Sequence, residues 1–202
     1  MMPAIALGLF AVFLLLGFGW RSWEQRRRTG STGFRGIGGR PGSAEWFGGV
    51  GFVAALVGAV VAPTLQLTGV VSPLPFLTAP RIQLVGVVVA ILGIAATLLA
   101  QVDMGESWRI GVDDQERTDL VRTGAFGWVR NPVFSAMLIF ASGLVLITPN
   151  VVAVAAFAAM MASIEVQVRV VEEPYLLRVH GQVYRDYLAT VGRFVPRLGL
   201  RR

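Results

Sequence analysis

Four long stretches of this chain contain no charged residue, and they set the pattern of its predicted elements. They are residues 1–20, 46–80, 82–102 and 131–164. A helix needs about 20 mostly apolar residues to cross about 30 Å of hydrocarbon. The pattern therefore predicts an all-α polytopic membrane protein with about five transmembrane helices. We expect these helices at about residues 2–20, 45–66, 81–102, 133–148 and 150–168.

The arginines predict how these helices are oriented. They cluster after the first, third and fifth predicted helices, whereas the connection after the second helix has none before Arg81. Because an excess of basic residues marks the cytoplasmic side, we expect the N-terminus outside and the C-terminus in the cytoplasm. The first apolar run is followed, not preceded, by arginines, which favours a retained anchor over a cleaved signal peptide.

Composition narrows the chemistry that is available. The chain has no cysteine, no lysine and a single histidine. Disulfides, cysteine-based metal sites, lysine Schiff bases and P-loop phosphate binding are therefore excluded, and no metal site is predicted. The net charge of +6 lies along the predicted membrane boundary. The bilayer is thus the expected partner and nucleic acid is not, while the oligomeric state stays open.

Two polar clusters flank the hairpin formed by the fourth and fifth predicted helices. Arg130-Asn131-Pro132 precedes it, and Glu172-Glu173 follows it. Proline suits a first helical turn and asparagine suits an N-cap. The unpaired N–H groups at such an end can bind a carboxylate beside Arg130. The same residues also fit simple capping with an interfacial arginine, and the two glutamates fit a solvated helix start.

A glycine-rich connector separates the first two predicted helices. It spans residues 29–42 and does not follow a β-strand or spell the G-x-G-x-x-G phosphate motif. We therefore interpret it as a flexible cytoplasmic loop.

Several separated motifs in the second half of the chain resemble a known family. The run from Leu120 to Phe134 reads Leu-Val-Arg-Thr-Gly-Ala-Phe-Gly-Trp-Val-Arg-Asn-Pro-Val-Phe, and it is followed by Glu172-Glu173, Gly181, Tyr184, Tyr187 and Val195-Pro196-Arg197. This ordered set resembles the isoprenylcysteine carboxyl methyltransferases, integral membrane enzymes that use S-adenosylmethionine. The run Met104-Gly-Glu-Ser-Trp-Arg-Ile-Gly111 resembles their bacterial members, which implies a bacterial inner or plasma membrane.

The resemblance covers about residues 100–198 and implies a division of the chain. Residues 1–100 would hold the N-terminal transmembrane helices and the glycine-rich loop, and residues 101–202 the cytoplasm-facing methyltransferase region. Arg130 would contact the cofactor's carboxylate, and Glu172 its amino group or ribose. The residues implied to bind the cofactor are Thr118, Asp119, Leu120, Val121, Phe126, Arg130, Asn131, Pro132, Val133, Phe134, Glu172, Tyr184 and Tyr187.

The resemblance also implies a lipophilic methyl acceptor, with an isoprenylcysteine-type carboxylate as one candidate. Arg169 would orient such an anionic acceptor as a catalytic residue. An amine or thiol acceptor would need a base, for which Glu173 or a tyrosine is the candidate. The chain departs from the family pattern at Asn131, where His is usual, and at Phe134 and Ala136, where Tyr and Gly are usual.

Other functions remain open from the sequence. A phospholipid, thiol or quinone methyltransferase would share the cofactor site and differ in the acceptor. A sterol-reductase-like enzyme would use NADPH, and a non-catalytic membrane scaffold would bind neither cofactor.

Overall fold

The computed structural model of this protein describes residues 1–33, 36–108 and 119–201. Within these ranges the chain is all-α, as predicted, and it has no β-strand beyond one isolated bridge between Val129 and Gly192. The helices are α1 (Met2–Leu14), α2 (Arg21–Thr29), α3 (Ala44–Leu67), α4 (Pro80–Met104), α5 (Pro132–Ile147), α6 (Val151–Val166), α7 (Glu173–His180) and α8 (Gln182–Thr190).

The first and last spans extend further than their apolar runs predicted. A π-helical segment, Leu15–Trp20, joins α1 to α2, and a second, Gln167–Glu172, joins α6 to α7. Each joins its two α-helices into one continuous helix, Met2–Thr29 and Val151–His180. The predicted ends near residues 20 and 168 were therefore wrong, because the helices continue through polar sequence beyond the apolar run.

The described part of the chain contains four helices that are long and apolar enough to cross a membrane. They are Met2–Thr29, Ala44–Leu67, Pro80–Met104 and Val151–His180, and the shorter apolar α5 completes the predicted set of five. Their length and composition indicate an integral membrane protein.

Small residues let α4 and α5 pack backbone against backbone. A Cβ added to Gly93 would lie 2.5 Å from the backbone nitrogen of Phe140, and one added to Gly143 would lie 2.5 Å from that of Ala90. Ala90 itself has no exposed surface. Membrane helices gain little from the hydrophobic effect against lipid, so close approach at small residues is a main source of their association.

The turn between α5 and α6 is fixed to α3 by one asparagine. Asn150 is fully buried, and its Oδ1 accepts a hydrogen bond from the Ala153 amide at 2.9 Å, which caps α6. Its Nδ2 donates to the Ala62 carbonyl at 3.1 Å and to Gln66 Oε1 at 2.9 Å. This contact holds the hairpin, and with it the start of α5, at a defined position beside α3.

After α8 the chain folds back onto the segment before α5. The amides of Arg130 and Asn131 donate to the carbonyls of Gly192 (2.8 Å) and Arg193 (3.1 Å). Ser135 Oγ donates to the Phe194 carbonyl at 2.8 Å. We call residues 191–201 the C-terminal tail; its hydrogen bonds bring it against the N-terminus of α5.

Candidate functional site: a cavity at the start of α5

A cavity of about 390 Å³ lies where the N-terminus of α5 meets the ends of its neighbouring helices. Its wall includes residues from α3, from the end of α4, from the segment before α5 and from α8. Side chains of both chemical classes contribute, including Phe52, Phe126 and Met137 on the apolar side and Glu45 and Glu172 on the polar side.

The structure brings together nearly all of the residues implied to bind the cofactor. Thr118 lies outside the described residues. The others all lie on the wall of this one cavity, although they come from separate segments of the chain: Asp119, Leu120, Val121, Phe126, Arg130, Asn131, Pro132, Val133, Phe134, Glu172, Tyr184 and Tyr187.

Arg130 is buried and forms an ion pair with another side chain. Its Nη2 donates to Glu173 Oε1 at 3.1 Å and to the Gly199 carbonyl at 3.1 Å. Its Nη1 donates to the carbonyls of Leu188 and Val191. The carboxylate that pairs with Arg130 across the hairpin is that of Glu173.

Glu173 is the centre of a buried ion cluster. Its carboxylate is 1% exposed and accepts from Arg130, from Arg193 Nε and Nη2 at 2.7 and 3.0 Å, and from Arg201 Nη1 at 3.2 Å. Hydrogen bonding to this carboxylate raises the pKa of Arg193. We call Glu173, Arg130, Arg193 and Arg201 the arginine cluster; it ties α7 to the tail and to the start of α5.

Glu173 and Arg169, the two residues predicted to be catalytic, do not line the cavity. Glu173 already accepts four charge-assisted hydrogen bonds, which leaves its carboxylate poorly placed to accept a proton from a substrate. Arg169 is largely exposed and pairs with Glu165 one helical turn earlier. Glu173 thus has a structural role, and Arg169 lies at the surface.

Asn131 occupies the N-cap position of α5 without capping it. Its side chain makes no cap hydrogen bond, and its Nδ2 donates instead to the Arg193 carbonyl at 3.2 Å. The first amides of a helix have no intrahelical acceptor. The sequence predicted an asparagine cap here, but the Asn131 side chain does not bind the amides of Val133 and Phe134. Both of these residues lie on the cavity wall.

Two buried tyrosines from α8 lie on the wall beside the arginine cluster. Tyr187 donates its hydroxyl to the Phe126 carbonyl at 2.5 Å, and its ring lies 6.0 Å from that of Tyr184. Burial raises the pKa of both phenols, that of Tyr187 to about 12. They stay protonated at neutral pH, which makes them hydrogen-bond donors and poor general bases.

The model of the phospholipid methyltransferase family matches residues 82–183 of this chain. That range is half of the sequence and contains α4 except its first two residues, α5 to α7, and most of the cavity wall. The chain belongs to the phospholipid methyltransferase family. This membership agrees with the membrane methyltransferase class that the motifs predicted.

A solved structure of a eukaryotic intramembrane Ras methyltransferase, an isoprenylcysteine carboxyl methyltransferase, has a similar fold. The TM-score is 0.57 at 24% identity, and the match covers 74% of this chain and 53% of that one. This chain therefore spans about half the length of that enzyme, and the likeness shows the fold. A comparison with curated proteins gives no match.

Part of the wall lies outside the range that the phospholipid methyltransferase model matches. From α3 and the glycine-rich connector it includes Glu45, Phe52, Val53, Leu56 and the segment 36–38. Sequence reasoning missed these residues, since they form no motif and reach the site only through the packing of α3. A weak signal was present: Glu45 is a lone acidic residue at the start of an apolar span.

Both π-helical segments also border the cavity, through Phe18 on the first and Gln167 and Glu172 on the second. Such segments leave backbone groups outside the regular helical pattern and are frequent at functional sites. In the first segment the Gly17 carbonyl accepts from Gln101 Nε2 at 2.9 Å. This contact places another wall residue, Gln101, at the end of α4.

Proposed function

We propose that this chain binds S-adenosylmethionine in the cavity and transfers its methyl group to a lipophilic acceptor. One observation carries the proposal: twelve residues that a sequence resemblance assigned to this cofactor lie on the wall of a single cavity. Membership of the phospholipid methyltransferase family supports the same reaction class.

The cavity suits this cofactor in size and in the chemistry of its wall. Its volume of about 390 Å³ falls in the range of small-molecule sites, about 300–1,000 Å³. The aromatic residues Phe126, Phe134 and Tyr184 can enclose an adenine, and Glu172 can accept from an amino group or a ribose hydroxyl.

The start of α5 offers a place for the cofactor's carboxylate. The amides of Val133 and Phe134 lie at the positive end of the helix dipole, and no side chain caps that end. Arg130 was expected to bind this carboxylate directly. Because its guanidinium is held by Glu173 and three carbonyls, we now propose that it fixes the helix start in position.

Methyl transfer from S-adenosylmethionine depends more on the alignment of donor and acceptor than on acid–base catalysis by the protein. S-adenosylmethionine supplies a methyl group on a positively charged sulfur, so the acceptor's lone pair forms the new bond as the carbon–sulfur bond breaks. The wall residues would align the acceptor and keep water out. The absence of a free histidine, cysteine or lysine from the described wall agrees with such a reaction.

We propose a class of lipophilic methyl acceptors and not a single compound. An isoprenylcysteine-type carboxylate and the headgroup of a phospholipid are both candidates, as are a thiol and a quinone-like lipid. Arg169, which was to orient an anionic acceptor, is 58% exposed and already pairs with Glu165. Its position gives the carboxylate candidate no support. Residues 1–100 supply the α3 part of the wall, so both halves of the chain would serve the reaction.

Cofactor binding by the full chain in lipid nanodiscs tests the proposal. We expect S-adenosylmethionine to bind, and Glu172→Ala to weaken binding about tenfold through the loss of a charge-assisted hydrogen bond. Glu165→Ala is the matched control, since Glu165 lies away from the cavity and should leave affinity unchanged. Binding of NADPH in place of S-adenosylmethionine would favour the reductase, and binding of neither would favour a scaffold.

A further inference from the structure

One arginine of the first helix is buried, unlike those that follow it. Arg21 is 2% exposed, whereas the arginines at positions 26–28 of the same helix are exposed. Its Nη1 donates to Glu24 Oε2 at 3.2 Å, and its Nη2 donates to the carbonyls of Gln101 and Gly105 at the end of α4. A buried charge is costly unless it is paired and hydrogen-bonded. These contacts therefore fix the first helix to the end of α4.

The guanidinium of Arg21 also packs against a residue of the cavity wall. Arg21 Cζ lies 5.1 Å from the centroid of the Trp108 ring, which is a cation–π contact. Trp108 is 3% exposed and lines the cavity, as do Met104 and Ser107 beside it in the sequence. Such a contact is stronger when it is removed from water. Arg21 does not line the cavity itself, but it touches a residue that does.

The start of the glycine-rich connector makes a second contact with Trp108. A Cβ added to Gly33 would lie 2.9 Å from Trp108 Cζ3 and 3.3 Å from the Trp108 carbonyl oxygen. Gly33 has a φ of +72°, a conformation that is readily available only to glycine. Trp108 is therefore held by the Arg21 guanidinium and by the Gly33 backbone. Both of these residues lie outside the range that the phospholipid methyltransferase model matches.

The end of α4 connects this contact to the segment before α5. The Ala125 amide donates to Asp103 Oδ2 at 2.8 Å. Ala125 precedes Phe126, a wall residue implied to bind the cofactor. Asp103 lies between the two residues whose carbonyls accept from Arg21. A shift of the α4 end would therefore move the Phe126 turn together with Trp108.

We propose that Arg21 is a positioning residue for cofactor binding, which holds Trp108 and the end of α4 where they complete the cavity wall. The inference rests on the proposed function, because it concerns the same cavity and the same cofactor. Arg21 acts through Trp108 and makes no contact with the cofactor. The first helix is then a part of the catalytic unit and not only a membrane anchor.

The test measures the affinity of the full chain in nanodiscs for S-adenosylmethionine, well below the melting temperature of each variant. Arg21→Gln removes the charge and the cation–π contact, and we expect Kd to rise about tenfold, the effect of losing one buried contact of this kind. Arg28→Gln is the matched control. Arg28 pairs with the same Glu24 but is 53% exposed, so its loss should leave Kd unchanged.

A double-mutant cycle shows whether Arg21 acts through Trp108. Trp108→Leu removes the ring, and adding Arg21→Gln to it should raise Kd by less than about twofold further, because the shared contact is already lost. Arg21→Lys keeps a cation but loses the planar set of donors, so its Kd should lie between those of the wild type and Arg21→Gln. If Arg21→Gln does not fold, the cycle is run with Arg21→Lys. An arginine with a structural role alone would lower the melting temperature and leave Kd unchanged, or give additive effects on Kd; either result would overturn the inference.

Tryptophan fluorescence gives a second readout in a milder variant. Because Trp108 lines the cavity, S-adenosylmethionine should change the emission of the wild type more than that of Trp108→Phe, which keeps a ring beside Arg21. An equal change in both proteins would place Trp108 away from the bound cofactor and overturn the inference. If the wild type binds S-adenosylmethionine and Arg21→Gln binds it equally well, only this inference fails. If the wild type binds none, the proposed function fails first, and this inference falls with it.

Discussion

Removal of the Glu173 carboxylate should destabilise this protein far more than removal of an exposed glutamate. The arginine cluster places four hydrogen bonds on Glu173, and the side chains of Arg130 and Arg193 are 1% and 8% exposed. Glu173→Ala would leave these two charges buried without a counter-charge. Breaking a buried pair in this way costs about 3–5 kcal/mol. At about 2–4 °C per kcal/mol for a chain of this size, the melting temperature should fall by about 10 °C.

The assay is thermal unfolding of purified protein in a mild detergent, with Glu165→Ala as the control. Glu165 also pairs with an arginine, Arg169, but that pair is exposed and is worth about 0–1 kcal/mol. The control should therefore melt within about 4 °C of the wild type. Equal melting temperatures for Glu173→Ala and the wild type would refute the structural role assigned to the cluster. Weakened S-adenosylmethionine binding below the melting temperature would further show that the cluster positions the start of α5.

Two further predictions concern helix packing and the cavity wall. Gly93→Val should lower the free energy of unfolding by about 1–3 kcal/mol or more, because its Cβ would meet the Phe140 backbone. Gly8→Ala should be nearly neutral, because a Cβ there meets no atom within 4 Å. Thermal unfolding of both variants checks this prediction. Tyr187→Phe removes the hydrogen bond to Phe126 and should cost about 1 kcal/mol at pH 7. Burial holds the pKa of Tyr187 at about 12, above its ordinary 10, so the unfolded chain releases this proton first and the wild type should lose stability as the pH rises from 10 to 12. An alkaline unfolding series should show this loss reduced in Tyr187→Phe; identical pH profiles would contradict the assignment.

The apolar runs were enough to predict where the apolar helices lie, because a charge-free stretch of about 20 residues has few alternatives to a span. In the described part of the chain four of these helices are long enough to cross a membrane, and the fifth, α5, is shorter. The apolar runs did not predict where the first and last helices end. The helix from α1 continues through the arginines of α2, and π-helical turns at Leu15–Trp20 and Gln167–Glu172 carry both helices past their apolar parts. A hydropathy profile detects neither the continuation of α1 into the polar α2 nor the π-helical turns.

The grouping of residues 119–134, Glu172, Tyr184 and Tyr187 at one cavity could be predicted, since their motifs resemble one family's cofactor-binding residues. The α3 side could not, because Glu45 belongs to no motif and reaches the cavity only through helix packing. The arginine cluster could not be predicted from the sequence either. Glu173 is 43 residues from Arg130 and 20 from Arg193, and nothing local distinguishes it from Glu172. Burial alone decides which of the two glutamates is structural and which lines the cavity.

Ultraviolet cross-linking of methyl-tritiated S-adenosylmethionine to the full chain in nanodiscs tests most directly whether this cavity holds the cofactor. The label should map to peptides containing residues 119–134 or 172–187, and excess S-adenosylhomocysteine should abolish it. Label on the turn between α5 and α6, or label that S-adenosylhomocysteine does not displace, would contradict a cofactor site at the start of α5.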